Sequence, residues 1–341
     1  DSIWIRSMGH VKLKNISKPQ NLFRIYLDKE EYLSETDGEL KKSQINRGVN
    51  VVDLNTYQEK EIKAIGILNL NNIGEKEDGF IAYSITENLI NDLKKIPSIR
   101  TPGINDIQKY AISELPISEI ARRLKVDYVV SGTIFKTDNQ IKISLNMIDT
   151  KNGETTWSDS WEGSMKYTGT LNGKMISGIL NVLEIDVPEH INQYFTYEMT
   201  ENSEAYECYL KGKEIVDLLN NPKSLPKAEK YFERSVNLDN DFVEAYAYKA
   251  MVYRWMYRYE EAEEKLEEAL QIAKINNNEP GLATVYFYYG ILLRACRKYE
   301  KAIVNFKKAL ELQSQIQDRF SEGKILHNMA GCYSAMQKTD K

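Results

Sequence analysis

The residue types that most often do chemistry are sparse and scattered in this sequence. Its three histidines, His10, His190 and His327, fall in separate regions, and its three cysteines, Cys208, Cys296 and Cys332, are odd in number, far apart and flanked by no ligand-spaced histidine. Such spacing builds neither a zinc site nor a disulfide framework, and fits buried free thiols in a reducing compartment. Nucleophilic, phosphate or zinc-hydrolase chemistry would call for a Gly-x-Ser-x-Gly elbow, a Walker-type glycine loop or a His-Glu-x-x-His pair, and the sequence contains none of them. The acidic stretch Glu260 to Glu268 has Lys265 within it and reads as a solvated helix face, not a metal site. The histidines read as ordinary surface or core residues. No catalytic residue, metal or cofactor is expected.

One constellation could recognise a ligand. Arg254 and Arg294 stand forty residues apart, with Met251 and Trp255 beside the first and Phe287 and Ile291 beside the second. If they occupy one inward-facing place on successive helices, the stacked guanidinium groups and their apolar anchors suit an acidic or carboxylate-bearing peptide. The alternative is a pair of solvated charges.

The forty-residue interval belongs to a repeat. Gly290, Ala302, Phe306 and Ala309 are separated by twelve, four and three residues, and Ala250, Ala262, Leu266 and Ala269 reproduce those intervals forty residues earlier. Gly212, Ala228, Phe232 and Ser235 form a first copy whose opening interval is lengthened by residues 220–226, and Gly331 opens a last copy whose second helix is not reached. Paired antiparallel helices approach closely only where side chains are small, and the Phe306-type residue fills the space beside them. Residues 200–341 are therefore expected to be helical hairpins at about 203–240, 243–276 and 282–316, with a truncated one at 323–341. Tyr286, Phe287, Tyr288 and Tyr289 read mainly as packing within this array.

The first part of the chain has another texture. Residues 1–27 alternate apolar and polar side chains around Lys18-Pro19, which predicts two or three short strands, and residues 28–62 are polar and aperiodic, which predicts a linker. From residue 63 to 187 an α/β domain is expected. Ala64 to Leu68 reads as a buried strand, Phe80 to Leu93 as an amphipathic helix stopped by Pro97, and Ser118 as the cap of another helix. Ile141, Ile143, Leu145 and Met147 share one face of a strand, and Asn152-Gly153 is a hairpin turn leading to the next; a helix over about 168–183 follows.

Composition agrees with a folded chain of two or three domains, since 42% of its 341 residues are hydrophobic and 28% charged. The net charge of −5, from 45 basic and 50 acidic side chains, gives no footprint for nucleic acid. No apolar run of membrane-spanning length and no secretory signal occurs in the sequence. Asp1 and Lys341 are both expected to be cut ends.

Three resemblances sharpen these expectations. The small/small/aromatic/small register over 203–341 resembles the tetratricopeptide family, with a period longer than the usual roughly thirty-four residues, and implies a superhelix whose concave face holds a peptide or a partner's helix. The stretches 64–70, 85–96, 117–134 and 141–161 look like the TolB amino-terminal family, which implies an interaction or sensory module without catalytic residues. Residues 8–27 resemble the closing strands of class III nucleotide cyclase domains, implying a remnant of such a domain at 1–27 whose metal-binding carboxylates lie elsewhere. The fold class expected is thus α/β plus all-α. The implied role is a bacterial, cytoplasmic, non-catalytic scaffold that binds a protein partner through its repeats and couples to an upstream adenylate or guanylate cyclase, through which the parent could homodimerise. The competing expectation is a periplasmic TolB-like assembly protein.

Overall fold

The computed structural model describes residues 3–11, 20–46, 51–52, 62–110, 113, 115–138, 140–186, 192, 194–218, 222–315 and 318–339. The chain divides into two compact units, residues 1–61 and 62–341, so the α/β domain and the helical repeats share one body.

In the first unit, β1 (Trp4–Val11) pairs antiparallel with β2 (Gln20–Tyr26), Ile5 lying opposite Ile25, and β3 (Val51–Val52) adds to the other edge of β1. The Lys18-Pro19 turn lies outside the described residues. The expected linker contains two helices, α1 (Lys29–Ser34) and α2 (Asp37–Asn46). Local chemistry explains the correction. Asp28 caps α1 by accepting from the backbone of Glu30 and Glu31 at 2.7 and 3.0 Å. Thr36 and Glu39 form a reciprocal capping box at the start of α2. Among the described side chains of α2, Leu40 is the buried one, and an isolated anchor in a short helix leaves no periodicity to detect.

The second unit opens on a sheet of order β6-β4-β7-β8-β9. Here β4 (Lys63–Ile67) runs parallel to β6 (Ile99–Arg100) and β7 (Tyr128–Thr137), and β7, β8 (Gln140–Asp149) and β9 (Thr155–Ser164) form an antiparallel meander. A two-residue strand, β5 (Asn71–Asn72), also pairs with β7. Ile141, Ile143, Leu145 and Met147 are fully buried, as their alternation requires. Against this face pack α3 (Gly79–Leu93) and α6 (Thr168–Val182). The short helices α4 (Ile104–Gln108) and α5 (Ile117–Leu124) complete the domain. Ser118 lies inside α5, which starts behind Pro116 without a side-chain cap.

Among the described residues from 203 on, seven α-helices follow: α7 (Ser203–Asp217), α8 (Leu225–Leu238), α9 (Val243–Trp255), α10 (Tyr259–Ile275), α11 (Glu279–Ala295), α12 (Tyr299–Gln315) and α13 (Arg319–Thr339). They pair in order as hairpins, with α13 packed on α12. Gly212, Ala228, Phe232, Ala250, Ala262, Leu266, Ala269, Gly290, Ala302, Phe306 and Ala309 are buried at these contacts. Gly331 is the exception. It is exposed, and a methyl group placed there would meet the Arg294 guanidinium, 3.2 Å from Nη1. Both α9 and α11 end on a left-handed residue, Tyr257 (φ 62°) and Arg297 (φ 58°), with the next amide bonded back to the carbonyl five residues earlier. This is a repeated Schellman-type stop made without glycine.

The α/β domain and the repeats are fastened together by the segment 194–202. The Glu198 carboxylate accepts from the amides of Gly169 and Thr170 at 2.9 and 2.8 Å, where the positive end of α6 favours it. Asn202 caps α7 and donates to the carbonyl of Leu238 at 3.0 Å. Across the same junction the Lys136 ammonium binds Asp78 and Glu207, and Lys211 lies over the ring of Phe80.

Candidate functional site

Two surfaces and one cavity bring unusual chemistry together. The first surface is the β1–β2 hairpin. The face that carries Trp4, Arg6, Leu22, Arg24 and Tyr26 is turned toward the unit's own helices. Arg6 donates to the carbonyl of Tyr32 at 2.8 Å and stacks on that ring, while Arg24 pairs with Glu31 and Glu35. The other face carries Ile5, Phe23 and Ile25, each more than half exposed, with Ile3 and Leu27 continuing it at the strand ends. Apolar residues gathered on one bare sheet face mark a surface that another layer can cover. Sequence alternation indicated the strands here but not which face would stay uncovered.

The second surface is the C-terminal end of α9 and α11. Arg254 and Arg294 occupy the last turn of these helices, where the helix dipole favours positive charge. Both are half-buried and neither has an acidic partner among the described residues. The Arg254 guanidinium lies 4.9 Å from the Trp255 ring centroid, and its Nε is buried without a hydrogen bond among those residues. Burial lowers the Arg254 pKa, Tyr259 opposes this, and the neighbouring charge of Arg294 adds to the lowering. These are not simply solvated charges. The expected companions fare differently. Trp255 and Ile291 are half-buried, and Phe287 packs on Phe306 with ring centroids 6.1 Å apart. Met251 is only 1% exposed and belongs to the interior, so it cannot line a groove. Facing inward on α9 at that position means facing the core between α9, α10 and α11.

The cavity, of about 310 Å³, lies between α3, the start of α6, the 194–199 segment, helices α7, α9, α11 and α13 and the end of α12. The inner side of the array is thus turned in part toward its own α/β domain. Lys213 of α7 is buried there and bound by Asp217, at 2.7 Å, and by Glu87 of α3. Burial alone would lower its ammonium pKa, but Asp217 and Glu87 override it and hold it above the ordinary value. Asp92 of α3 is shared between Lys95 at 2.7 Å and Asn172 Nδ2 at 2.6 Å. Tyr209, Tyr248 and Tyr288 line the same space, in edge-to-face contact from one to the next at 5.5 and 5.4 Å. Period and register could not reveal this cavity, because part of its wall comes from another domain.

The remaining candidates are dispersed. His10 lies in β1, His327 is exposed on α13, and His190 lies outside the described residues. Cys208 and Cys332 are buried free thiols and Cys296 is half-buried; burial raises the pKa of all three. Within Glu260 to Glu268, Lys265 binds Glu268 at 2.5 Å and Glu264 at 3.5 Å, and Arg258 holds Glu261. Among the described residues no group of three or more His, Cys, Asp or Glu could hold a metal ion, and no helix is long and apolar enough to cross a membrane.

Comparison with known proteins adds the following. Residues 241–315 match the tetratricopeptide repeat family. A curated protein of Rhizobium meliloti (strain 1021) described as "Putative adenylate cyclase 3" is 24% identical over 185 residues, which are 54% of this chain and 31% of that protein. The chain therefore spans less than a third of that relative's length. Among solved structures, the TPR2B-domain:pHsp70 complex of yeast Sti1 is 17% identical with a TM-score of 0.34, covering 39% of this chain and 98% of that one. TolB from Acinetobacter baumannii is 13% identical with a TM-score of 0.28, covering 36% of this chain and 28% of that one.

Proposed function

We propose that this chain is a non-catalytic regulatory segment of a nucleotide-cyclase signalling protein, which docks on the cyclase domain through the β1–β2 sheet and binds a protein partner through its helical repeats. The observation that carries the reading is the β1–β2 hairpin, which buries Tyr26 on one face and leaves Ile5, Phe23 and Ile25 bare on the other. A sheet face of this kind is stable in water only at a cost of roughly 25 cal/mol for every Å² of apolar area left uncovered, and a second domain layer removes that cost. The relative described as an adenylate cyclase, more than three times as long as the matched region, supports the same assignment.

The repeats supply the second half of the role. Tetratricopeptide-type hairpins expose long helical surfaces, and the Arg254–Arg294 end offers two cations without acidic partners among the described residues beside an indole ring. An acidic or carboxylate-terminated peptide fits that chemistry. A cyclase partner consumes nucleoside triphosphate, which assigns the segment to the cytoplasm; the cyclase would bring the two copies of a homodimer together.

The coding sequence upstream of Asp1 tests the reading directly. A catalytic domain with two metal-binding aspartates is expected there. A secretory signal or a lipoprotein cysteine would instead assign the chain to a cell-envelope assembly.

A further inference from the structure

Glu244 is the buried charge that neither surface explains. It stands in the first turn of α9, is 4% exposed and lines the cavity. A directed row of hydrogen bonds ends on it. Asn278 caps α11 by accepting from the Gly281 amide through Oδ1 at 2.8 Å, which fixes its Nδ2 as the donor to the Tyr197 hydroxyl at 2.7 Å. The Tyr197 proton then goes to Glu244 Oε1, 3.2 Å away. The other carboxyl oxygen, Oε2, is buried with no partner among the described residues.

A second acceptor in the same cavity is in the same condition. Asn172 Nδ2 donates to Asp92 and to the carbonyl of Phe195, so the orientation of its amide is set, and Oδ1 is left buried and unbonded among those residues. Gln313 Oε1 is a third such atom on the wall. All three are acceptors. The cavity's lysines do not answer them, since Lys95 is committed to Asp92 and Lys213 to Asp217 and Glu87, while Lys324 lies 4.3 Å from the centroid of the Phe320 ring.

The geometry points to a binding site for a small organic cation carrying a protonated primary amine, which donates to Glu244 Oε2 and Asn172 Oδ1 among the tyrosine rings. A water could satisfy an acceptor but would leave a buried carboxylate uncompensated, whereas an ammonium supplies both the donors and the charge. Tyr209, Tyr248 and Tyr288 are the kind of wall that favours a cation. At about 310 Å³ the space is at the low end of the range that holds small ligands, roughly 300–1,000 Å³. Burial pushes the carboxyl up to about 7, the condition a cationic ligand would relieve.

Titration of the whole chain near neutral pH with ethanolamine and with butylamine, each against its neutral counterpart, ethylene glycol or butanol, tests this. Saturable binding and a raised Tm are expected with the amines and not with the alcohols. Glu244→Gln, nearly isosteric and checked for an unchanged circular dichroism spectrum, should weaken amine binding about tenfold or more. Equal binding of the alcohols, amine binding unaffected by E244Q, or no saturable amine binding up to millimolar concentration would each overturn the assignment. None of these outcomes touches the cyclase reading, which rests on other residues.

Discussion

A methyl group placed on Gly290 would lie 2.5 Å from Cε1 of Phe306, and one placed on Gly212 would lie 2.8 Å from Cζ of Phe232. In the middle repeat the same two places hold Ala250 and Leu266, both fully buried. The repeat thus conserves volume: glycine meets phenylalanine, and alanine meets leucine. Helix pairs pack at this point because the two side chains share one allowance of space.

Gly290→Ala should therefore destabilise the chain by about 1–3 kcal/mol through overpacking. Adding Phe306→Leu, which copies the middle repeat, should recover part of that loss. Urea unfolding of the single and double variants checks the non-additivity. Strict additivity would mean that the two positions do not share space.

Lys213→Ala should cost about 3–5 kcal/mol, because it leaves Glu87 and Asp217 facing each other without their common cation. Lys213→Met keeps most of the volume but not the charge and should lose nearly as much. A thermal scan in which the two variants differ widely would point to lost packing instead.

Glu244 makes stability depend on pH in a defined direction. Its carboxyl titrates near 7 in the folded chain against an ordinary 4.5, burial being the main cause. Between these values the folded state holds a proton that the unfolded state has released, so stability falls as pH rises through the window and the loss is complete above it. Glu244→Gln should be more stable than the parent by up to about 3 kcal/mol near pH 8 and little different near pH 4. Tm measured against pH for both proteins checks the slope.

Arg254→Glu with Arg294→Glu should weaken binding of acidic, carboxylate-terminated peptides by about tenfold or more while leaving helicity unchanged. Fluorescence anisotropy with labelled peptides, alongside circular dichroism, separates recognition from folding. Unaltered affinity would remove the arginines from the binding surface.

Ile25→Asp changes an exposed residue and should alter stability by less than about 0.5 kcal/mol. Association with the cyclase catalytic domain, followed by calorimetry, should nevertheless be lost. If association persists, the bare hairpin face is not the docking surface.

Much of this protein was legible before any coordinates. The twelve, four and three spacing located the buried contacts at Ala250, Ala262, Leu266 and Ala269 and their counterparts, because a helix repeats its faces at fixed intervals. Alternation located β8 for the same kind of reason. The reading failed where a residue's role depends on a neighbour distant in sequence. Met251 had the register of a groove residue yet is enclosed, Gly331 had the register of a packing residue yet is exposed, and the segment holding α1 and α2 lacked periodicity because side-chain caps and Leu40 hold it.

By itself, then, the sequence determined the local periods: which segments are strands, which are paired helices, and where those pairs must be small. Only the tertiary structure decided which faces are covered, that the repeats close against α3 and α6, and that Glu244 ends a row of hydrogen bonds in a cavity. Periodicity is a property of neighbours along the chain, whereas burial and electrostatics are set by whatever the fold brings alongside.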